Sequence, residues 1–91
     1  MQIEVHLFSI LRDCLPPGSS GGSASVTLLE GATLADLVRH LGIDRYLRCQ
    51  VLELTTELGW QVMVAGKFEL DLDRPLRDGD KVHIFPPVSG G

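Results

Sequence analysis

Residues 33–42 read Thr33-Leu-Ala-Asp-Leu-Val-Arg-His-Leu-Gly42, and the reading of this stretch decides the fold. Leu34, Leu37, Val38 and Leu41 recur at i, i+3, i+4 and i+7, which puts one apolar stripe along a helix. Thr33 offers a hydroxyl at the N-cap and Asp36 an acid three residues later, a capping box with Asp in place of the usual Glu. Gly42 ends the helix as a C′ residue. A single helix with one apolar face needs another layer to bury it, and the flanking segments supply strands.

Upstream, Met1 to Phe8 alternates, with Ile3, Val5 and Leu7 on one side and Gln2, Glu4 and His6 on the other, as in a half-buried strand. Residues 15–23, Leu-Pro-Pro-Gly-Ser-Ser-Gly-Gly-Ser, form a loop of breakers without periodicity. Ala24 to Leu29 resumes a strand. Downstream, 43–59 is ambiguous: Tyr46, Leu47, Val51, Leu52 and Leu54 suit a short second helix, and Thr55 to Gly59 a connector. Trp60 to Ala65 reads as strand, Gly66-Lys67 as its turn and Phe68 to Leu70 as a short return strand. Asp71 to Leu76 is irregular, bent by Pro75. Asp78-Gly79 marks a tight turn before a last strand, Lys81 to Phe85. The order predicts an α+β fold with a mixed sheet of four to five strands and one main helix packed on one face. The first two strands form a hairpin, and the last re-enters the sheet after the crossover.

Ninety-one residues bound this to one domain, expected to span 1–85, with 86–91 an extended, flexible carboxyl-terminal tail. A composition 44% hydrophobic and 22% charged is globular. A net charge of −4 argues against nucleic acid or an anionic membrane as principal partner. The amino-terminal apolar run is interrupted by Glu4, His6 and Arg12, so neither a secretory signal nor a span is expected there. A cytoplasmic location follows by default, with Cys14 and Cys49 as reduced thiols filling small apolar gaps.

The end of the chain, Phe85-Pro-Pro-Val-Ser-Gly-Gly91, is the candidate site. Pro86 and Pro87 cannot donate ladder hydrogen bonds, so the strand stops there, and two adjacent prolines hold the chain stiff and extended. Gly90 and Gly91 can pass through a channel too narrow for a Cβ. The terminal carboxyl, with a pKa near ~3.3–3.7, is ionised and inert until another group activates it. The chain has no phosphate-cradling loop to do so, which places the activating machinery on a partner. A terminal Gly-Gly alone would read as a frayed end; the prolines and the strand before them favour an inserted tail.

Other chemistry-bearing residues read more plainly. His6, His40 and His83 sit far apart in sequence, and His6 and His83 point away from the apolar faces of their strands and are expected to be solvated. Asp71, Asp73, Asp78 and Asp80 lack the spacing and closing Glu of a calcium loop and read as turn residues. Phe8 and Phe85 fall on the polar phase of neighbouring strands, an outward aromatic pair of the kind found at interfaces.

Val82-His-Ile-Phe-Pro-Pro-Val-Ser-Gly-Gly91 resembles the carboxyl terminus of the MoaD family, the small subunits of molybdopterin synthase. The stretch 75–82, Pro-Leu-Arg-Asp-Gly-Asp-Lys-Val, and the stretch 62–67, Val-Met-Val-Ala-Gly-Lys, are similar to MoaD and its relative ThiS. The resemblance implies the ubiquitin-like β-grasp fold and a sulfur carrier that is not an enzyme on its own. It also implies that a MoeB-like enzyme adenylates Gly91 with ATP and that sulfur from a donor replaces AMP. The thiocarboxylate then enters a MoaE-like large subunit and supplies the molybdopterin dithiolene. Gly90 would thread the channel, and Phe85, Pro86, Pro87, Val88 and Ser89 would dock, with Phe8 added from the strand pattern. No cofactor and no metal are expected on the chain itself. Ala65 stands where the family often has Asn, and the 15–23 loop is longer than usual. Thiazole, a sulfur amino acid or tRNA as acceptor, or conjugation to lysines, stay open as alternatives.

Overall fold

The computed structural model describes residues 1–19 and 21–87. Strands β1 (Gln2–Leu7) and β2 (Ser23–Thr27) precede the helix α1 (Leu34–Leu41). Two short helices follow, α2 (Ile43–Leu47) and α3 (Glu53–Thr56), and then β3 (Gln61–Val64), β4 (Lys67–Phe68) and β5 (Lys81–Phe85). The sheet has five strands in the order β2-β1-β5-β3-β4. The central pair, β1 and β5, is parallel, and the other three pairings are antiparallel. Parallel neighbours need a long crossover, and here the crossover carries α1. This is the ubiquitin-like β-grasp that the family resemblance implies, and it fits the mixed sheet with one covering helix that the element order predicts.

Alternation fixes which face is wet. Ile3, Val5 and Leu7 of β1, Val26 of β2, Val62 and Val64 of β3, and Val82 and Ile84 of β5 are buried beneath α1. From α1 itself Leu34, Leu37, Val38 and Leu41 enter the same core. Leu37 is 0% exposed, so truncating it to Ala would cost about 2–5 kcal/mol.

The capping box forms in both directions. Thr33 N–H donates to Asp36 Oδ2 at 2.9 Å, and Asp36 N–H donates to Thr33 Oγ1 at 3.2 Å. Gly42 ends α1 in the left-handed region, φ 74°. The irregular 71–76 stretch satisfies the next open donors of the helix start: Leu34 N–H reaches Arg74 O at 3.1 Å and Ala35 N–H reaches Leu72 O at 2.8 Å. That loop is therefore a tertiary cap for α1.

Several boundaries differ from expectation. Ser9–Cys14 forms a 3-10 helix that local pattern does not show. It exists because Leu11 is fully buried and because Tyr46 Oη–H donates to Asp13 Oδ2 at 2.8 Å, tying it to α2. The ambiguous 43–59 stretch holds two helical turns, separated by Arg48 at φ 55°. The β3–β4 reversal is centred on Ala65-Gly66 and not on Gly66-Lys67, since both of the former have positive φ. The return strand is accordingly Lys67–Phe68, shorter and earlier than Phe68 to Leu70.

Candidate functional site

The face of the sheet opposite α1 is open. Register lines up Ser23, His6, His83, Met63 and Phe68 in one row across all five strands. His6 and His83 stack with centroids 4.4 Å apart and planes inclined by 10°. One step toward the carboxyl terminus, Phe8 and Phe85 stack at 4.8 Å and 17°. His83 and Phe85 sit 6.0 Å apart on the same strand. The four rings form a ladder that ends where β5 gives way to Pro86 and Pro87. The outward Phe8–Phe85 pair matches the strand pattern. The two histidines correct it: they are half-buried partners, and not separate solvated residues. Parallel pairing of β1 with β5 brings together positions 77 residues apart in the chain, and no local signal does so.

Charge is graded along the ladder. At its far end Glu4 pairs in register with Lys81, and Glu4 Oε2 lies 2.6 Å from His6 Nε2. The hydrogen bond to His6 holds the Glu4 carboxyl below the usual range, with Lys81 adding to the effect. Burial pushes the His83 imidazole below its ordinary 6.5, neighbouring His6 pushes the same way, and Glu4 opposes. His83 is therefore neutral at neutral pH. Its Nδ1 is shielded and has no hydrogen-bond partner among the described residues. Among the described residues, the end nearest the tail is formed by the uncharged rings of Phe8 and Phe85.

The tail root is seen as far as Pro87: Pro86 is half-buried and Pro87 exposed. Val88, Ser89, Gly90 and Gly91, the remaining expected tail positions, lie outside the described residues. Cys14 and Cys49 are free and half-buried. Burial pushes both thiols up, helped by Asp13 at Cys14 and by Glu53 and Asp44 at Cys49. Both stay protonated near neutrality and are poor nucleophiles. Three of the four carboxylates at 71–80 accept backbone N–H bonds, as turn residues do: Asp78 from Gln2 at 2.7 Å, Asp80 from Arg77 at 2.8 Å, and Asp71 from Asp73 at 2.9 Å. His40 is exposed on α1, remote in sequence from the ladder strands. Among the described residues no helix is long and apolar enough to cross a membrane.

The ThiS family matches residues 5–91, and the chain belongs to that family. SAMP1 of Haloferax volcanii, a small archaeal modifier protein, is 22% identical with a TM-score of 0.61, each chain covered over 100% of its length. The putative molybdopterin converting factor subunit 1 of Pyrococcus furiosus is 23% identical with a TM-score of 0.65, over 96% of this chain and 98% of that one. A complex of subunits 1 and 2 of the molybdopterin-converting factor of Helicobacter pylori contains a chain 23% identical, TM-score 0.57, with 100% of both covered. No curated protein sequence is significantly similar to this chain. Family and fold together define a small ubiquitin-like domain of the kind used by sulfur carriers and by protein modifiers.

Proposed function

We propose that this chain is a sulfur carrier, the small subunit of a molybdopterin synthase. The carrying observation is the Phe8–Phe85 stack, an uncharged aromatic platform at the root of a chain end that runs through two prolines to Gly91. A MoeB-like enzyme docks on the platform and joins the Gly91 carboxylate to AMP from ATP, releasing pyrophosphate. A sulfide-level donor then attacks the acyl-adenylate carbon, the acyl–phosphate bond breaks with AMP as leaving group, and a thiocarboxylate remains. A MoaE-like subunit then takes the platform, and Gly90 and Gly91 deliver that sulfur to the molybdopterin precursor. Phe85, Pro86, Pro87, Val88, Ser89 and Gly90, with Phe8, are the docking residues. The subunit complex formed by the structural neighbour from Helicobacter pylori supports a two-subunit arrangement.

The test is intact-mass analysis of the chain isolated from its native cells, with capture of a MoaE-like subunit. Oxygen-to-sulfur replacement at Gly91 together with that capture supports the proposal. Replacement without capture moves the acceptor to thiazole, a sulfur amino acid or tRNA. Gly-Gly remnants on lysines of other proteins, without any sulfur at Gly91, replace it with the modifier reading that the likeness to SAMP1 favours.

A further inference from the structure

Gly59 lies in the connector between α3 and β3, opposite the last described residue of the chain. Gln61 pairs with Phe85 in the antiparallel β3–β5 ladder. Continued outward, that register brings Trp60 beside Pro86 and Gly59 beside Pro87. The contact is close: a Cβ on Gly59 would stand 3.3 Å from Cβ of Pro87. Gly59 also has φ +75°, in the left-handed region.

The two sides of this contact are unequally held. On the Gly59 side, Leu58 N–H donates to Glu53 O at 2.9 Å and Trp60 N–H to Leu54 O at 3.0 Å. Trp60 is buried in the core. On the other side, Pro86 and Pro87 have no N–H with which to extend the ladder. A methyl group at 59 would therefore be relieved by displacement of Pro87, not of the connector. Because the ring fixes φ at Pro87, a displacement there moves the ring and its own carbonyl as one unit.

We propose that Gly59 is a positioning residue: its bare Cα is the seat that sets the direction in which the chain leaves Pro87, and so where the terminal carboxylate arrives in a partner's active site. This rests on the carrier reading for its consequence, though not for the seat itself. Gly31 provides a matched control, since it too is left-handed, φ +85°, with no atom of the described residues within 4 Å of its would-be Cβ. Gly59→Asn and Gly31→Asn impose comparable backbone demands, and asparagine tolerates that region. Only the former pushes on Pro87.

The experiment has two arms on the full chain. In solution NMR, the wild type shows a nuclear Overhauser effect between Gly59 Hα and the Pro87 ring. Gly59→Asn abolishes it and shifts the amide resonances of residues 88–91, whereas Gly31→Asn leaves both unchanged. In ATP-dependent adenylation by a MoeB-like enzyme, Gly59→Asn lowers kcat about tenfold with KM within about twofold, because the body docks normally and the carboxylate is misdelivered. Gly31→Asn keeps both constants. No Overhauser effect in the wild type, the same response from both variants, or an unchanged kcat in Gly59→Asn overturns the inference. If no adenylating enzyme accepts the wild-type chain, the carrier reading fails, and the NMR arm decides the seat alone.

Discussion

The imidazole of His83 stacks on that of His6 at 4.4 Å, on the open face of the sheet, while Glu4 holds the far edge of His6 at 2.6 Å. The ladder of rings is thus anchored by charge at one end and left apolar at the other. Burial disfavours a proton on His83, and the adjacent His6 adds to that effect. Lys81 adds to the penalty on protonating His83, and Glu4 offsets part of it.

This gives a pH dependence of defined sign. The unfolded chain binds a proton at His83 near ~6.5, and the folded chain only at lower pH. The contribution to stability is full above that unfolded value and is lost as pH falls through the folded one. His83→Phe keeps a ring in the stack and removes the titration. Urea midpoints compared between pH about 7.5 and about 5.5 should fall less for His83→Phe than for the wild type. Equal falls would show that His83 titrates normally.

Phe85→Arg should leave the domain folded, since Phe85 is half-buried on the open face and outside the core. It should weaken binding to a MoeB-like enzyme and to a MoaE-like subunit by about thirtyfold, the loss of a hot-spot aromatic. Titration calorimetry with each partner measures this. Unchanged affinity for both would remove Phe85 from the docking surface. The expected kinetic signature, a raised KM, is opposite to that of Gly59→Asn.

Ala65→Asn should stabilise the protein. The two-residue β3–β4 reversal has φ 51° at Ala65 and φ 83° at Gly66. Positive φ at both central residues is the type I′ requirement, which Asn-Gly meets better than Ala-Gly. The gain should be about 0.5–1 kcal/mol, read as a higher denaturant midpoint with an unchanged slope.

Thr33→Ala should cost about 1 kcal/mol by removing the hydroxyl that accepts from Asp36 N–H. The Asp36 carboxyl is held low chiefly by its bond from Thr33 N–H. The backbone half of the box survives this substitution, so thermal unfolding should shift without loss of α1 in circular dichroism.

Local signals were sufficient for most of the elements. Alternation in β1 and β5 needs only neighbours two apart, and α1 is bounded by its own stripe, its Thr33–Asp36 cap and Gly42. The expectation for the Pro-Pro and Gly-Gly pairs near Gly91 likewise needs only the bare sequence, because proline and glycine act through backbone geometry alone. The 3-10 helix at Ser9–Cys14, the two short helices in 43–59 and the cap that Leu72 and Arg74 lend to α1 were not visible. Each is held by partners distant in the chain, which propensity over a short window does not sense. Outward placement of His6, Phe8, His83 and Phe85 follows from strand phase. Their union into one ladder required β1 and β5 to pair in parallel, and the meeting of Gly59 with Pro87 required β3 to run against β5. Those are choices of topology, made by burying the helix-covered face of the sheet as a whole, and no single segment encodes them.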